Sequence, residues 1–142
     1  MPRQILYTSR AMSNRFDRDI PEILRCSRRN NPELGLTGIL VFTGSTFIQI
    51  LEGSPEHIDP VLDIISGDTR HADIRVLLDR MVEKRACGDW TMGFGLIDRH
   101  PGGRIGFLER MAHLSRDGSP AALDELVAMM AALGSERVRE YA

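Results

Sequence analysis

The chain has 142 residues, 42% hydrophobic and 27% charged, the balance of one globular domain large enough for a real core. Its 18 basic and 20 acidic side chains leave a net charge of −2, which argues against nucleic-acid and anionic-membrane partners. No apolar run reaches bilayer length, no signal-peptide pattern opens the sequence, Cys26 and Cys87 form no CxxC, and the four histidines lack metal-ligand spacing. The expectation is therefore a cytoplasmic protein with free thiols and no metal.

Gln4 to Ser9 reads as a first strand, with Ile5, Tyr7 and Ser9 on one face and Gln4, Leu6 and Thr8 on the other. A tyrosine so placed is ordinarily core, its hydroxyl reaching one partner. A helix is predicted from about Ser13 to Asn31, capped by Ser13 or Asn14, with Asp17 in its first turn. Its apolar stripe Phe16, Ile20, Ile23, Leu24 is continued by Ser27 and Asn31. These small polar residues mark either the helix emerging into water before Pro32 or contact with a polar ligand. Pro21 is expected to kink the helix or delay its start. Arg28-Arg29 reads as a solvated helix face.

A second strand, Ile39 to Phe42, turns through Gly44-Ser45 into a third, Phe47 to Gly53. The third is apolar on both faces, as a central strand covered on both sides should be. Gln49 is its exception. A buried amide left unpaired costs about 1–3 kcal/mol, so Gln49 is either a satisfied core residue or one that faces a ligand.

Ser54-Pro55 suits a helix start, and Ile58, Val61, Leu62 and Ile65 form a stripe ending near Gly67. Pro60 implies a start near Asp59 or a distortion. Asp68 to His71 reads as a polar turn and Ile74 to Leu78 as a fourth strand with room to run on to Val82. Trp90 to Ile97 reads as a fifth, with Trp90 and Met92 on one face. After the break at Pro101-Gly102-Gly103, helices are predicted over Ile105 to Leu114 and Ser119 to Leu133. The latter has Ser119 as cap, Pro120 at its first position and Gly134 past its end. These two either cover the open face of the sheet or form an oligomer or partner surface. The tail from Ser135 is expected to fray.

The order β-α-β-β-α-β-β matches the split βαβ arrangement. The expected fold class is α+β: a ferredoxin-like mixed sheet with two helices on one face, plus two C-terminal helices. The first and third strands are expected to be parallel neighbours, bringing Tyr7, Gln49 and Asn31 together. No phosphate-binding glycine motif, Ser-His-Asp arrangement or paired carboxylates stand out.

Leu6-Tyr7-Thr8-Ser9, Arg29-Asn30-Asn31, Gly35 to Leu40, Phe47 to Gly53, Asp68-Thr69-Arg70-His71 and Asp89 to Phe94 form an ordered set over about residues 3–97. The set resembles the motifs of the BLUF family, sensors of blue light using FAD, in its short stand-alone form. The resemblance implies FAD held between the two helices. It implies Tyr7 as electron and proton donor to the excited flavin and Gln49 as the hydrogen-bond switch between them. Asn31, with Asn30 and Ser27 beside it, would hold the polar edge of the ring, and Arg70, His71 and Asp68 the ring and ribityl side. Trp90 and Met92 would relay the signal. Residues 1–98 would be the photosensor and 99–142 an extension for output or oligomerisation, acting on a separate signalling protein rather than as an enzyme. Ala86-Cys87-Gly88 and Pro60 depart from the family pattern. The alternatives are a flavin-dependent redox enzyme and a flavin-free interaction module.

Overall fold

The computed structural model describes residues 1–12, 15–88, 90–96 and 104–137. Its elements are β1 (Arg3–Ala11), α1 (Phe16–Leu34), β2 (Thr37–Phe42), β3 (Thr46–Gly53), α2 (Pro55–Ser66), β4 (His71–Met81), β5 (Gly93–Leu96), α3 (Arg104–Asp117) and α4 (Pro120–Arg137). The sheet order is β4-β1-β3-β2-β5, the order expected of a ferredoxin-like sheet with one strand added beside β2. β5 joins parallel to β2, which makes the sheet mixed.

β1 and β3 are neighbours but antiparallel, not parallel as the sequence reading expected. The connection explains it. α1 carries the chain back, so β2 runs in the direction of β1, and the tight β2–β3 hairpin then reverses it. Thr43 N–H donates to Thr46 O at 3.1 Å across that hairpin.

Alternation sorts the core into two faces. Ile5, Tyr7 and Leu51 pack with Ile58 and the α2 stripe, and Leu40, Phe42 and Phe47 pack with Ile20 and Leu24 of α1. On the opposite face Leu6, Ile39, Val41, Ile48 and Ile50 meet Met111 and Leu114 of α3 and Leu123, Leu126, Val127 and Met130 of α4. The C-terminal helices therefore cover the face that α1 and α2 leave open. This double burial is why β2 and β3 read as nearly continuous apolar runs.

Prolines shift several boundaries. α1 continues past Pro32 to Leu34, so the helix does not end before that proline. Left-handed Gly35 closes the end: its N–H bonds Pro32 O at 3.3 Å and Leu36 N–H bonds Asn31 O at 2.9 Å. Pro21 lies inside α1, whose N-cap position is Arg15, while Ser13 and Asn14 fall outside the described residues. α2 starts at Pro55 with Pro60 inside it, so the start near Asp59 is not adopted. Ser119 caps α4 as expected, its Oγ accepting from Ala122 N–H at 3.2 Å. The helix runs through Gly134 to Arg137 instead of stopping before it.

The largest correction concerns residues 90–92, which precede β5 rather than open it. Their carbonyls are taken by other donors: Trp90 O by Gly38 N–H at 3.0 Å, Thr91 O by Asn31 Nδ2, and Met92 O by Arg28 Nε at 3.1 Å. The β2 backbone thus takes the first of these carbonyls and side chains of α1 the other two, and Trp90 and Met92, outside β5, do not share a strand face.

Candidate functional site

Tyr7 and Gln49 are register partners on β1 and β3. Both side chains point toward α1 and α2, and both are buried. The Tyr7 hydroxyl donates to Gln49 Oε1. Gln49 Nε2 lies 3.6 Å from Met92 Sδ, a weak acceptor, so its donor capacity is largely unspent. Burial, and secondarily the charge of Asp68, pushes the Tyr7 hydroxyl well above the ordinary tyrosine range. Tyr7 is therefore a protonated donor at neutral pH.

A cleft opens above this pair, between α1 and α2. Its inner part is lined by Tyr7, Ser9, Leu40, Phe47 and His71, and its outer part by Cys26, Asn30, Asn31, Leu51, Val61, Ile64 and Met92. Ile23, Ser27, Gln49, Ile65, Asp68 and Arg70 line both, so the two are continuous. They enclose about 450 and 1010 Å³ of atom-free space, solvent mouth included. Helical spacing puts Ile23 and Ser27 on one line of α1, and Ile65 faces them from the last turn of α2.

Asn31 is buried, and its Nδ2 donates to Thr91 O. Asn30 is exposed at the rim, where its Oδ1 accepts from Arg29 Nε at 3.4 Å. Asp68 accepts from three Arg70 donors: the backbone N–H at 2.9 Å, Nε at 2.9 Å and Nη2 at 2.5 Å. The Arg70 guanidinium holds the Asp68 carboxyl below the usual carboxylate range against the cost of burial. Glu22 lies 3.9 Å from the same guanidinium.

His71 spends both ring nitrogens on the protein: Nε2 lies 2.7 Å from Ile65 O and Nδ1 lies 2.7 Å from Ser9 Oγ. A carbonyl can only accept, so Nε2 is the donor to Ile65 O, while the serine hydroxyl at Nδ1 can donate or accept. His71 thus ties the end of α2 to β1 as part of the wall.

The sequence-derived residues Tyr7, Ser27, Asn30, Asn31, Gln49, Asp68, Arg70, His71 and Met92 all meet at this cleft. Trp90 does not line it; it packs against the cluster beneath the C-terminal helices, while Met92 is buried in the cluster under α1. Sequence reasoning missed the apolar jaws Ile23 and Ile65, and it misassigned Arg28. That residue is half-buried and bonds Met92 O, whereas Arg29 is exposed. Its position four residues after Leu24 on the buried stripe was the available signal.

The cleft fits a flat ring with one polar edge. Apolar side chains face each other across it, and the amides of Asn30, Asn31 and Gln49 offer both donors and acceptors, as alternating carbonyl and imide groups require. Residues 3–93 match the family described as BLUF, sensors of blue-light using FAD.

The chain belongs to the BLUF family.

The dark-state structure of BlrB, a BLUF protein, is 29% identical and superposes with a TM-score of 0.76, covering 92% of this chain and 96% of that one. The photoactivated adenylate cyclase subunit beta of Euglena longa is 34% identical over 79 residues, 56% of this chain and 9% of that protein. The blue light- and temperature-regulated antirepressor BluF of Escherichia coli (strain K12) is 35% identical over 94 residues, 66% of this chain and 23% of that protein. The chain thus spans less than a quarter of either of these two relatives. BLUF domains are flavin-binding sensors, and among the described residues no helix is long and apolar enough to cross a membrane.

Proposed function

We propose that the protein is a blue-light photoreceptor that binds FAD in the α1–α2 cleft and signals by rearranging the Tyr7–Gln49 hydrogen bond. The observation that carries this is the Tyr7 hydroxyl donating to Gln49 Oε1 at the floor of that cleft. A bound flavin supplies blue-light absorption and, when excited, strong oxidising power. Tyr7 would be the electron donor to that flavin, with its hydroxyl proton passing toward Gln49 Oε1, the atom already placed to take it, and both electron and proton would return to Tyr7 so that no net oxidation remains. Gln49 can then turn its amide or change tautomer, exchanging donor for acceptor toward Tyr7 and toward the cleft. Asn31, with Asn30 and Ser27, would hold the polar edge of the ring, and Arg70, His71 and Asp68 would meet the ring and ribityl side. His71 shapes the wall.

Met92 touches Gln49, and Trp90, two residues earlier, packs with the C-terminal helix cluster. Segment 90–92 is thus suited to pass a change at Gln49 to residues 99–142, the output extension of the photosensor unit 1–98. The reading extends to a cytoplasmic homo-oligomer, not itself an enzyme, that acts on a separate signalling protein.

Absorption spectra before and after blue light test the core of this reading. The expected result is a flavin spectrum that shifts to longer wavelength and recovers in the dark. Purification without flavin, or flavin with no reversible shift, refutes it. Release and chromatography of the bound flavin distinguishes FAD from FMN, and light scattering reads the assembly.

A further inference from the structure

Three residues beyond Gln49 on β3, and on the opposite face of the sheet, sits Glu52, with no solvent exposure. The register places Arg80, Gln4, Glu52 and Thr37 in one row across β4, β1, β3 and β2. The row is continuously hydrogen-bonded. Arg80 Nε donates to Gln4 Oε1 at 3.0 Å, Gln4 Nε2 to Glu52 Oε2 at 2.8 Å, and Thr37 Oγ1 to Glu52 Oε1 at 3.5 Å. Beyond Arg80 it reaches Asp124 of α4, 2.6 Å from Nη1.

Glu52 also accepts two backbone donors from the β4–β5 connection: Ala86 N–H at 2.8 Å and Cys87 N–H at 2.9 Å. These amides have no ladder partner, and a buried amide must be satisfied. Glu52 is what satisfies them. A buried carboxylate is itself costly unless its oxygens accept several bonds, so carboxylate and connection are each held by the other. The connection then reaches Trp90, whose N–H bonds Cys87 O at 3.0 Å, and Met92, the neighbour of Gln49.

We propose that Glu52 is a positioning residue for the Gln49 switch: by pinning Ala86 and Cys87 it sets where Met92 stands against Gln49 and ties that placement to α4. The proposal rests on the photoreceptor reading for its purpose, but its geometry is testable in the dark. Trp90 is the chain's only tryptophan, so its emission reports on this segment alone.

Glu52→Gln keeps the size and one acceptor while turning an NH₂ toward a donor. In the flavin-loaded protein we expect amide exchange at Ala86 and Cys87 to rise at least tenfold in the dark. Trp90 emission should shift, and dark recovery should change several-fold, with the dark flavin spectrum retained. A variant that loses only thermal stability, with wild-type Trp90 emission and recovery, overturns the proposal. Should that variant not fold, the wild-type protein decides: Ala86 and Cys87 amides as protected as those of β3 support it, and exchange at exposed-loop rates overturns it. A wild type that shows no light-induced shift overturns the photoreceptor reading instead, and with it the role of Glu52 in a switch, even where the dark exchange shows the pin intact.

Discussion

Tyr7 and Gln49 stand opposite one another on antiparallel strands, and the hydroxyl of the first donates to the amide oxygen of the second. Removing that hydroxyl separates binding from switching. Tyr7→Phe should keep the ring in the core and flavin in the cleft, at a stability cost of about 1–2 kcal/mol for the acceptor left alone. The light-induced spectral shift should fall at least tenfold. Illuminated difference spectra of the purified variant check this, and a retained full shift refutes the donor role.

Burial of the same hydroxyl makes stability depend on alkaline pH. Tyr7 holds its proton more tightly folded than unfolded. Below pH 10 both states are protonated and the group contributes no slope. Above it the unfolded chain releases the proton while the folded one keeps it, so the unfolded state binds fewer protons and stability falls with rising pH. For one such group the slope approaches about 1.4 kcal/mol per pH unit. The buried Cys87 thiol, raised by burial and by Glu52, adds a like term from the ordinary thiol range upward. Urea unfolding from pH 8 to 11 should show the decline, and Tyr7→Phe should remove the part that begins near pH 10.

Apolar runs bounded by turn residues located the strands, because both faces of the central sheet are covered, and period-3.6 stripes located the helices. Strand direction was not in those patterns. The antiparallel β1–β3 pair follows only from counting chain reversals. Nor was the fate of Trp90 and Met92 legible. Arg28 and Asn31, more than fifty residues away in sequence, take the carbonyls of Met92 and Thr91 just ahead of β5. Gln49 was legible as an anomaly, whereas Glu52 read as one more residue of an apolar strand until its row of partners came into register.

Gln49→Leu tests the switch from its other side. Leucine fills a similar volume and packs with Leu40 and Phe47, so the fold should survive. The Tyr7 hydroxyl is then buried without its acceptor, at a cost of about 1–3 kcal/mol. Flavin should still bind, more weakly by the loss of one amide, and the reversible shift should vanish. Spectra and flavin titration check both. Normal photocycling would return Gln49 to the ordinary core.

His71 lines the cleft and also ties its wall together. Its ring joins Ile65 O at the end of α2 to Ser9 on β1, and it meets Phe47 edge-on with centroids 6.4 Å apart at 81°. Ser9 itself is buried. His71→Ala therefore leaves a buried hydroxyl without its partner and loosens the helix end that carries Ile65 into the cleft. Stability should fall by about 1–3 kcal/mol, mostly from unsatisfied polar groups. Flavin affinity should drop because Ile65 is no longer held across from Ile23, yet the fraction that retains flavin should still shift on illumination, since Tyr7 and Gln49 are intact. His71→Gln, whose amide offers a donor and an acceptor, should restore part of the affinity. Flavin titration together with the light-minus-dark spectrum per bound flavin separates these effects. A full loss of the shift at unchanged affinity would instead place His71 within the switch.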